Sequence, residues 1–128
     1  MQFFAMLSML VMLPLSFLFA GISGTYQVHG GDPSDGSTYT GTLVIEKVDE
    51  VYTASWMLSD GSSTGTGVRK GDNLAIVFVG VDANNNPLTG VQLYKIEENT
   101  LTSGPWTIYG STTKGFEVAQ KEHHHSGS

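Results

Sequence analysis

A strict alternation of side-chain types across residues 39–58 constrains the fold more than any other feature of the sequence. In each half of this stretch, alternate residues share one face. These residues are Tyr39, Gly41, Leu43 and Ile45 in the first half and Tyr52, Ala54, Trp56 and Leu58 in the second. The opposite face is mainly polar, with Thr53 and Ser55 as its clearest members. A period of two is typical of half-buried antiparallel strands. The polar break at residues 47–50 therefore predicts a hairpin.

Further short strands follow the same pattern. We predict them at residues 24–30, 63–70, 73–80, 90–97, 100–109 and 115–120. Asp60 and Gly61 predict a type I′ hairpin turn, and residues 71–72 and 98–99 predict two more tight turns. We expect residues 82–89 to form the longest loop. Proline cannot donate to a strand ladder, so Pro105 indicates an edge, a bulge or a strand start.

The number and spacing of these strands predict the fold class. Short connections favour an up-and-down meander, since Greek-key crossovers need longer links. About eight antiparallel strands close most naturally into a small barrel whose interior is filled by side chains. We therefore predict an all-β domain over residues 24–120, closed or nearly closed as a barrel and preceded by a hydrophobic N-terminal helix.

Residues 3–22 form an uncharged apolar run that has two interpretations. The small residues Ala20, Gly21 and Ser23 favour a signal peptide over residues 1–23 that is cleaved. The absence of basic residues before the run, and a helical length of roughly 30 Å, favour a retained membrane anchor instead. We favour cleavage, which predicts export to the periplasm or the extracellular space. A single-span membrane-anchored protein is the alternative.

The charge balance excludes several classes of partner. The 128 residues carry 12 Asp and Glu against 6 Lys and Arg, which gives a net charge of −6 at pH 7. Nucleic acids and anionic lipids need clustered cations, so we predict no nucleic-acid partner and a membrane contact only if residues 3–22 are retained. The chain has no cysteine, which excludes disulfides and thiolate metal sites. Residues 121–128 have the composition of a disordered tail, and its His123–His125 run predicts no specific metal site.

The sequence predicts no catalytic, cofactor-binding or metal site. Asp82, Asn84 and Asn86 resemble the first half of a calcium loop, but Pro87 and Leu93 stand where such a loop needs Gly and Glu. Asp32 and Asp35 could bind a cation weakly, but turn formation explains them as well. Other carboxylates lie at strand ends and turns, where no facing catalytic pair is expected, namely Glu46, Asp49, Glu50, Glu97 and Glu98. We therefore predict that the protein is not an enzyme.

Several aromatic residues have two competing interpretations. They are Tyr52, Trp56, Phe78, Tyr94, Trp106 and Tyr109. They could line a ligand cavity, or they could fill the barrel. Each buries roughly 150–250 Å² when it is inside, and an eight-stranded barrel has little interior space. The prediction is therefore a filled core, with a ligand pocket as the alternative.

Short motifs give the chain a resemblance to known proteins. Gly24, Thr25 and Tyr26 at the head of the meander resemble the Gly-x-Trp opening of the calycins, the lipocalin-type and avidin-type barrels. A wider set resembles small uncharacterised bacterial secreted proteins that are sometimes labelled fibronectin-binding. Its elements are Gly-Ser-x-Tyr-x-Gly at 36–41, Tyr-x-x-x-Trp at 52–56, Gly-x-Gly at 65–67, Gly-Asp-x-Leu at 71–74 and Gly-x-Trp at 104–106. The resemblance implies an exported β-protein.

These observations lead to three functional hypotheses. The first is a non-enzymatic exported module of the cell envelope or extracellular space that binds another protein. The second is a membrane-anchored accessory subunit with a structural role in a larger membrane complex. The third is a carrier of a small apolar ligand in the barrel. None of the three requires a cofactor.

Overall fold

The computed structural model describes residues 21–122. Most of the predicted N-terminal helix and signal peptide or anchor, and most of the predicted tail with its histidine run, lie outside these residues. Within residues 21–122 no helix has the length and apolar character needed to span a membrane. Ile22 and Ser23 lead directly into the first strand.

Eight antiparallel strands form a closed barrel, which confirms the predicted fold class. They are β1 (Gly24–Asp32), β2 (Ser37–Val48), β3 (Val51–Leu58), β4 (Gly61–Lys70), β5 (Asn73–Asp82), β6 (Pro87–Glu97), β7 (Thr100–Ile108) and β8 (Gly115–Lys121). Each strand pairs with the next one along the chain, and β8 pairs with β1 to close the barrel. The last strand ends one residue beyond the predicted domain boundary.

Two-residue turns join several neighbouring strands, and one of them differs from its prediction. Leu58 pairs with Gly61, so the central residues of that turn are Ser59 and Asp60. Positive φ is found at Gly61 (152°), whereas Ser59 and Asp60 are not among the described residues with positive φ. The predicted type I′ turn at Asp60 and Gly61 is therefore wrong by one position and in type. The predicted turns at residues 71–72 and 98–99 are confirmed.

The longest connection within the described residues also differs from the prediction. Residues 109–114 join β7 to β8, whereas the loop between β5 and β6 has only residues 83–86. The Asp82 carboxylate explains the shorter loop, because its Oδ1 accepts hydrogen bonds from the backbone N–H groups of Asn84 and Asn86, each at 2.9 Å. This closed turn lets Pro87 begin the next strand.

Strand β7 contains the barrel's main irregularity. Its register shifts against β6 between Gln92 and Lys95, and against β8 between Leu101 and Gly104. Ser103 has a φ of 47° there, a left-handed conformation that is uncommon outside glycine. A β-bulge leaves an extra residue unpaired, so Pro105 follows it inside a closed barrel without being at an edge. Of the three predicted alternatives for Pro105, the bulge is confirmed.

The two ends of the barrel differ in their connections. The turns after β2, β4 and β6 lie at one end together with Gly24 and Lys121, and we call this the closed end. The turns after β1, β3, β5 and β7 lie at the opposite end, which we call the open end. At the closed end Ile22 is only 3% exposed. The Tyr26 hydroxyl donates a 2.7 Å hydrogen bond to the Ile22 carbonyl oxygen and fixes this residue beneath the barrel.

Large side chains fill the closed half of the interior. Its most buried members are Tyr26, Leu43, Ile45, Tyr52, Leu74 and Leu101. They come from five strands at alternate positions, as the period of two in β2 and β3 predicts. The interior of this half is therefore a packed hydrophobic core.

Candidate ligand-binding cavity

A cavity of about 450 Å³ opens at the open end of the barrel and reaches inward to Glu117. Its inner wall is mainly apolar and aromatic, and consists of Tyr39, Trp56, Leu58, Phe78, Leu88, Gln92, Trp106, Ile108 and Glu117. Its rim carries four acidic residues, Asp32, Asp35, Asp60 and Asp82. The volume and the mostly apolar lining with a few polar groups are typical of small-molecule sites.

Small inward-facing residues near the open end help to shape the cavity wall. Near the open end the inward positions of β4, β5 and β6 include Ser63, Gly80 and Gly90. At the closed end of β5 the corresponding inward position holds Leu74, which is fully buried. Ser63 lines the cavity, whereas the Phe78 ring occupies the space beside Gly90, where a Cβ atom would lie 2.5 Å from it.

A glycine also positions one wall of the cavity. A Cβ atom at Gly115 would lie 2.3 Å from the Trp106 ring, so the indole occupies the space that any other residue would need. The Trp106 Nε1–H donates to the Phe116 carbonyl oxygen at 3.1 Å. Both contacts hold the ring across β8, where it lines the cavity.

Glu117 lies at the base of the cavity and binds three aromatic side chains. The Tyr39 hydroxyl donates to its Oε1 at 2.7 Å, and the Trp56 Nε1–H donates to its Oε2 at 2.8 Å. The Tyr94 hydroxyl also donates to Oε2. The carboxylate is 2% exposed, and these three donors come from β2, β3 and β6. Glu117 therefore ties β8 to three other strands across the barrel.

Burial and hydrogen bonding act on Glu117 in opposite directions. Burial raises the pKa of its carboxyl group, while the hydrogen bonds from Tyr94, Tyr39 and Trp56 lower it, and the net direction is upward. Burial, followed by the Glu117 charge, raises the pKa of both Tyr39 and Tyr94. The two phenols therefore stay neutral and keep donating across the ordinary pH range.

Gln92 is the second buried polar residue of the inner wall, and it is 3% exposed. Its Nε2 donates to the carbonyl oxygens of Leu93 at 3.1 Å and Pro105 at 3.3 Å. Both contacts lie at the register shift of β6 against β7. Because the amide nitrogen is used within the protein, the amide oxygen is the group that Gln92 has available as an acceptor.

Aromatic contacts give the inner wall a fixed shape. Trp56 and Phe78 pack edge to face with ring centroids 5.6 Å apart, and Tyr39 and Trp106 are tilted at 6.3 Å. Offset and edge-to-face pairs of this kind are favourable beyond the area they bury. The cavity is therefore preformed rather than dependent on a ligand for its walls.

The rim aspartates organise the open-end turns as well as carrying charge. Asp32 Oδ1 accepts from the Ser34 N–H and Asp35 Oδ1 accepts from the Ser37 N–H, each at 2.9 Å. These side-chain-to-backbone bonds confirm that Asp32 and Asp35 form the predicted turns. Hydrogen bonds from Ser37 lower the pKa of Asp35, and those from Asn86 and Asn84 lower the pKa of Asp82. Partial desolvation raises the pKa of Asp60.

The six aromatic residues singled out in the sequence divide into three groups. Trp56, Phe78 and Trp106 line the cavity. Tyr52 and Tyr94 are buried, at 5% and 0% exposure, whereas Tyr109 is 92% exposed in the loop between β7 and β8. The predicted filled interior therefore describes the closed half, and the alternative, a pocket around Trp56, describes the open half.

The other carboxylates considered in the sequence lie elsewhere. Glu46, Asp49, Glu50, Glu97 and Glu98 are exposed, and Glu46 is on the outer face as the alternation predicts. Within residues 21–122 no group of three His, Cys, Asp or Glu side chains is placed to hold a metal ion. The Asp82 carboxylate accepts hydrogen bonds from the Asn84 and Asn86 N–H groups within its own loop.

Sequence reasoning missed Glu117, Gln92 and Tyr39 as members of one site. The signal that could have found Glu117 is its position between Gly115 and Ala119, since all three share one face of β8. Those two small residues face inward, and Phe116 on the opposite face is 47% exposed. The acidic residue therefore lies on the interior face.

A second concave region, of about 730 Å³, lies on the outer wall of β4, β5 and β6. Its apolar members Val68, Val77, Val91 and Leu93 are 45–59% exposed. It is the larger of the two regions, but short side chains on a barrel exterior offer few polar groups to orient a small ligand. The open-end cavity is therefore the better candidate site.

Comparisons with known proteins identify the fold and no family. No protein-family model and no curated protein sequence matches the chain. Among solved structures, a redesigned β-barrel aligns with a TM-score of 0.60 and 18% identity, over 80% of this chain and 92% of that one. The redesigned β-barrel mFAP1, solved bound to DFHBI, aligns with a TM-score of 0.60 and 17% identity, over 78% of this chain and 94% of that one. The chain thus has an eight-stranded antiparallel fold that is similar to those of redesigned β-barrels.

Proposed function

We propose that the barrel binds a small, compact and mainly apolar molecule in its open-end cavity. The observation that carries this proposal is the cavity itself, an aromatic-walled space of about 450 Å³ open to solvent at one end of a barrel whose other half is packed. A mainly apolar cavity of this kind favours burial of an apolar ligand. The hypothesis of a ligand carrier is therefore the one of the three that the geometry supports best.

Two further observations support ligand binding without catalysis. Both Glu117 oxygens already accept hydrogen bonds from protein donors, so the carboxylate is used in holding the wall together. The neighbour mFAP1 has a small molecule bound, and a barrel of similar fold can therefore hold one. We propose a non-enzymatic binding protein on these grounds.

The expected export and the expected protein partner are parts of the proposal that depend on the sequence. If residues 3–22 are a signal peptide, the mature protein begins near residue 21 or 24. Intact mass of the protein from its native host should show this shortened species. A mature chain that retains Leu7 and Leu10 would instead support the membrane-anchored accessory subunit.

The cavity can be tested with the protein's own fluorescence. The sequence has two tryptophans, Trp56 and Trp106, and both line the cavity. The probe is 1-adamantanemethanol, a neutral and optically transparent molecule with a compact apolar body. We expect saturable changes in tryptophan emission on titration, with the same dissociation constant by calorimetry.

Two phenylalanine substitutions on adjacent residues of β4 provide a matched pair. Ser63 lines the cavity, and Thr64 is exposed on the outer face. Ser63→Phe should weaken probe binding by about tenfold or more because its ring occupies the cavity, while Thr64→Phe should not weaken it. Val77→Thr tests the outer wall in the same way. Equal binding by Ser63→Phe and wild type, with loss in Val77→Thr, would place the ligand outside the barrel and contradict the proposal.

A further inference from the structure

We infer that the ligand of the open-end cavity is an organic cation, with its apolar body inside the barrel and an ammonium-type group at the acidic rim. This inference rests on the proposed function, since it assigns the charge of the molecule that the cavity binds. Three independent features support it: the distribution of charge between the two ends, the hydrogen-bonding character of the inner wall, and its aromatic surface.

The charge distribution is the first feature. Asp32, Asp35, Asp60 and Asp82 come from three different turns and converge on the cavity mouth. Among the described residues the open-end connections contain one basic residue, Lys114, which borders the outer wall and not the cavity. The other basic side chains lie toward the closed end, at Lys47, Arg69, Lys70, Lys95 and Lys121. The negative charge is therefore concentrated at the mouth and is not only a consequence of the net charge of the chain.

The four rim carboxylates act on one another. The negative charges of Asp32, Asp35 and Asp82 all raise the pKa of Asp60, after the larger effect of partial desolvation. Like charges that repel one another across a cleft are stabilised by a cation between them. A positively charged ligand would relieve this repulsion, and an anionic ligand would add to it.

The inner wall is the second feature, because its donors are already used. The Tyr39 hydroxyl and the Trp56 Nε1–H donate to Glu117, and the Trp106 Nε1–H donates to the Phe116 carbonyl oxygen. The Gln92 amide nitrogen donates to two backbone carbonyls.

One acceptor of the inner wall differs from these donors, because the described part of the chain leaves it without a hydrogen bond. The Gln92 amide oxygen has no hydrogen bond among the described residues, although the side chain is 3% exposed and lines the cavity. No buried side-chain oxygen of the described residues lacks a partner, so this oxygen is accessible from the cavity and can accept a hydrogen bond from a ligand. The inner wall therefore suits a ligand that donates hydrogen bonds, as a protonated amine does.

The aromatic surface is the third feature. Trp56, Phe78 and Trp106 border the same space as the rim carboxylates. Aromatic faces attract cations through the ring quadrupole, and more strongly in a desolvated setting. An apolar cation can therefore use the rings for its body and for part of its charge. A neutral molecule of equal size would use only the apolar contacts.

The test uses three ligands of nearly equal size that differ in charge. They are 1-adamantanemethylamine (a cation near neutral pH), 1-adamantanemethanol (neutral) and 1-adamantanecarboxylate (an anion). Dissociation constants are measured on the full chain by tryptophan emission and by calorimetry. At about 0.01 M salt, where screening is weak, we expect the amine to bind about tenfold more tightly than the alcohol, and the carboxylate most weakly. At about 1 M salt the difference between amine and alcohol should fall to about twofold.

A matched pair of variants locates the effect. Asp60→Asn removes a rim charge, and Asp49→Asn removes the same charge at the closed end, where asparagine also tolerates the positive φ of 55°. Asp60→Asn should weaken amine binding by about threefold and leave alcohol binding unchanged. Asp49→Asn should change neither.

The possible outcomes separate the inference from the proposed function. Equal affinity for the three ligands, or tighter binding of the carboxylate, would overturn the assignment of a cation and leave the binding cavity intact. Binding of none of them, together with unchanged emission from both tryptophans, would count against the proposed function and the inference with it. An amine preference that Asp49→Asn weakens as much as Asp60→Asn would also overturn the inference, because the preference would then reflect net charge.

Discussion

The two halves of the barrel interior are built from the same alternating strands and have different contents. In the closed half, aliphatic and phenolic side chains fill the space, and Leu43, Ile45 and Leu74 have no exposed surface. In the open half, large aromatics such as Trp56 and Phe78 surround a cavity that the small residue Ser63 also lines. The difference shows that a strand pattern fixes which side chains face inward, whereas residue volume at each level decides whether the interior is core or cavity.

The two halves also differ in the number of buried polar groups that they contain. The closed half has one notable inward hydrogen bond, from the Tyr26 hydroxyl to the Ile22 carbonyl oxygen. The open half contains Glu117, Gln92 and their donors, and no buried side-chain nitrogen or oxygen of the described residues lacks a partner. Such a satisfied network costs little and fixes the relative positions of its members. The closed half thus supplies stability, and the open half supplies a shaped surface.

The comparison predicts a large difference between two leucine truncations. Leu74→Ala in the closed half should lower the free energy of unfolding by about 2–5 kcal/mol, because it leaves a cavity in a packed core. Leu88→Ala at the open end should cost at most about 1 kcal/mol, because this half-buried side chain already borders open space. Urea denaturation of both variants checks this. Equal midpoints would mean that the two halves are packed alike.

A smaller effect is expected from removing one hydroxyl at the closed end. Tyr26→Phe deletes the 2.7 Å bond to Ile22 and should cost about 0.5–1.5 kcal/mol. Burial raises the pKa of Tyr26 to about 12 from its ordinary value of 10.0. A raised native pKa means that this stabilisation is fully present below pH 10.0 and is lost as the pH rises through about 12. The variant should therefore lose less stability than the wild type in this alkaline range, as measured by denaturation at several pH values.

The smallest effect on stability near neutral pH is expected for Glu117→Gln. The glutamine oxygen can accept from Trp56 and Tyr94, and its nitrogen can donate to the Tyr39 hydroxyl, which can act as an acceptor. The substitution thus keeps the hydrogen-bond network and removes only the ionisable carboxyl group.

The change should appear in the pH profile. Burial raises the pKa of Glu117 above its ordinary value of 4.5, so its contribution to stability is fully present below that value and is lost as the pH rises through the native pKa. The wild type should therefore gain stability relative to Glu117→Gln as the pH falls toward 4.5. Glu46→Gln, an equal charge change on the outer face, is the control. Parallel profiles for wild type and Glu117→Gln would show that Glu117 is not desolvated.

The sequence allowed most of the fold to be predicted, because β2 and β3 alternate clearly and the turns at residues 71–72 and 98–99 have strong local signals. The candidate site was harder to predict for a physical reason. In β6 and β8 the buried polar residue is flanked by apolar ones that face outward: Gln92 lies between Val91 and Leu93, which are 50% and 45% exposed. When polar residues face inward and apolar residues face outward, the alternation alone predicts the wrong face of the strand as the buried one. Only the pairing of all eight strands brings Glu117 close to Tyr39, Trp56 and Tyr94.

The bulge in β7 shows the same limit at the level of the backbone. Pro105 predicted a disturbance, but the sequence did not indicate that Ser103 would adopt a left-handed conformation or that Gln92 would use the displaced carbonyl oxygen of Pro105. Those contacts depend on two neighbouring strands at once. Local sequence signals therefore located the irregularity but could not predict the contacts that it makes with neighbouring strands.

Because the strands are even in number and antiparallel, Gly24 and Lys121 lie side by side, and the Glu122 N–H donates to the Thr25 carbonyl oxygen at 2.8 Å. Both ends of the barrel's chain therefore leave from the end opposite the cavity. Any tether, fusion partner or surface joined to either end would lie behind the barrel and leave the mouth facing outward. A short linker between the two ends would yield circularly permuted forms, and new ends could be opened in the exposed turn at residues 49–50 without touching the cavity. Attachment through Gly24 or Lys121 is thus compatible with full access to the open-end cavity.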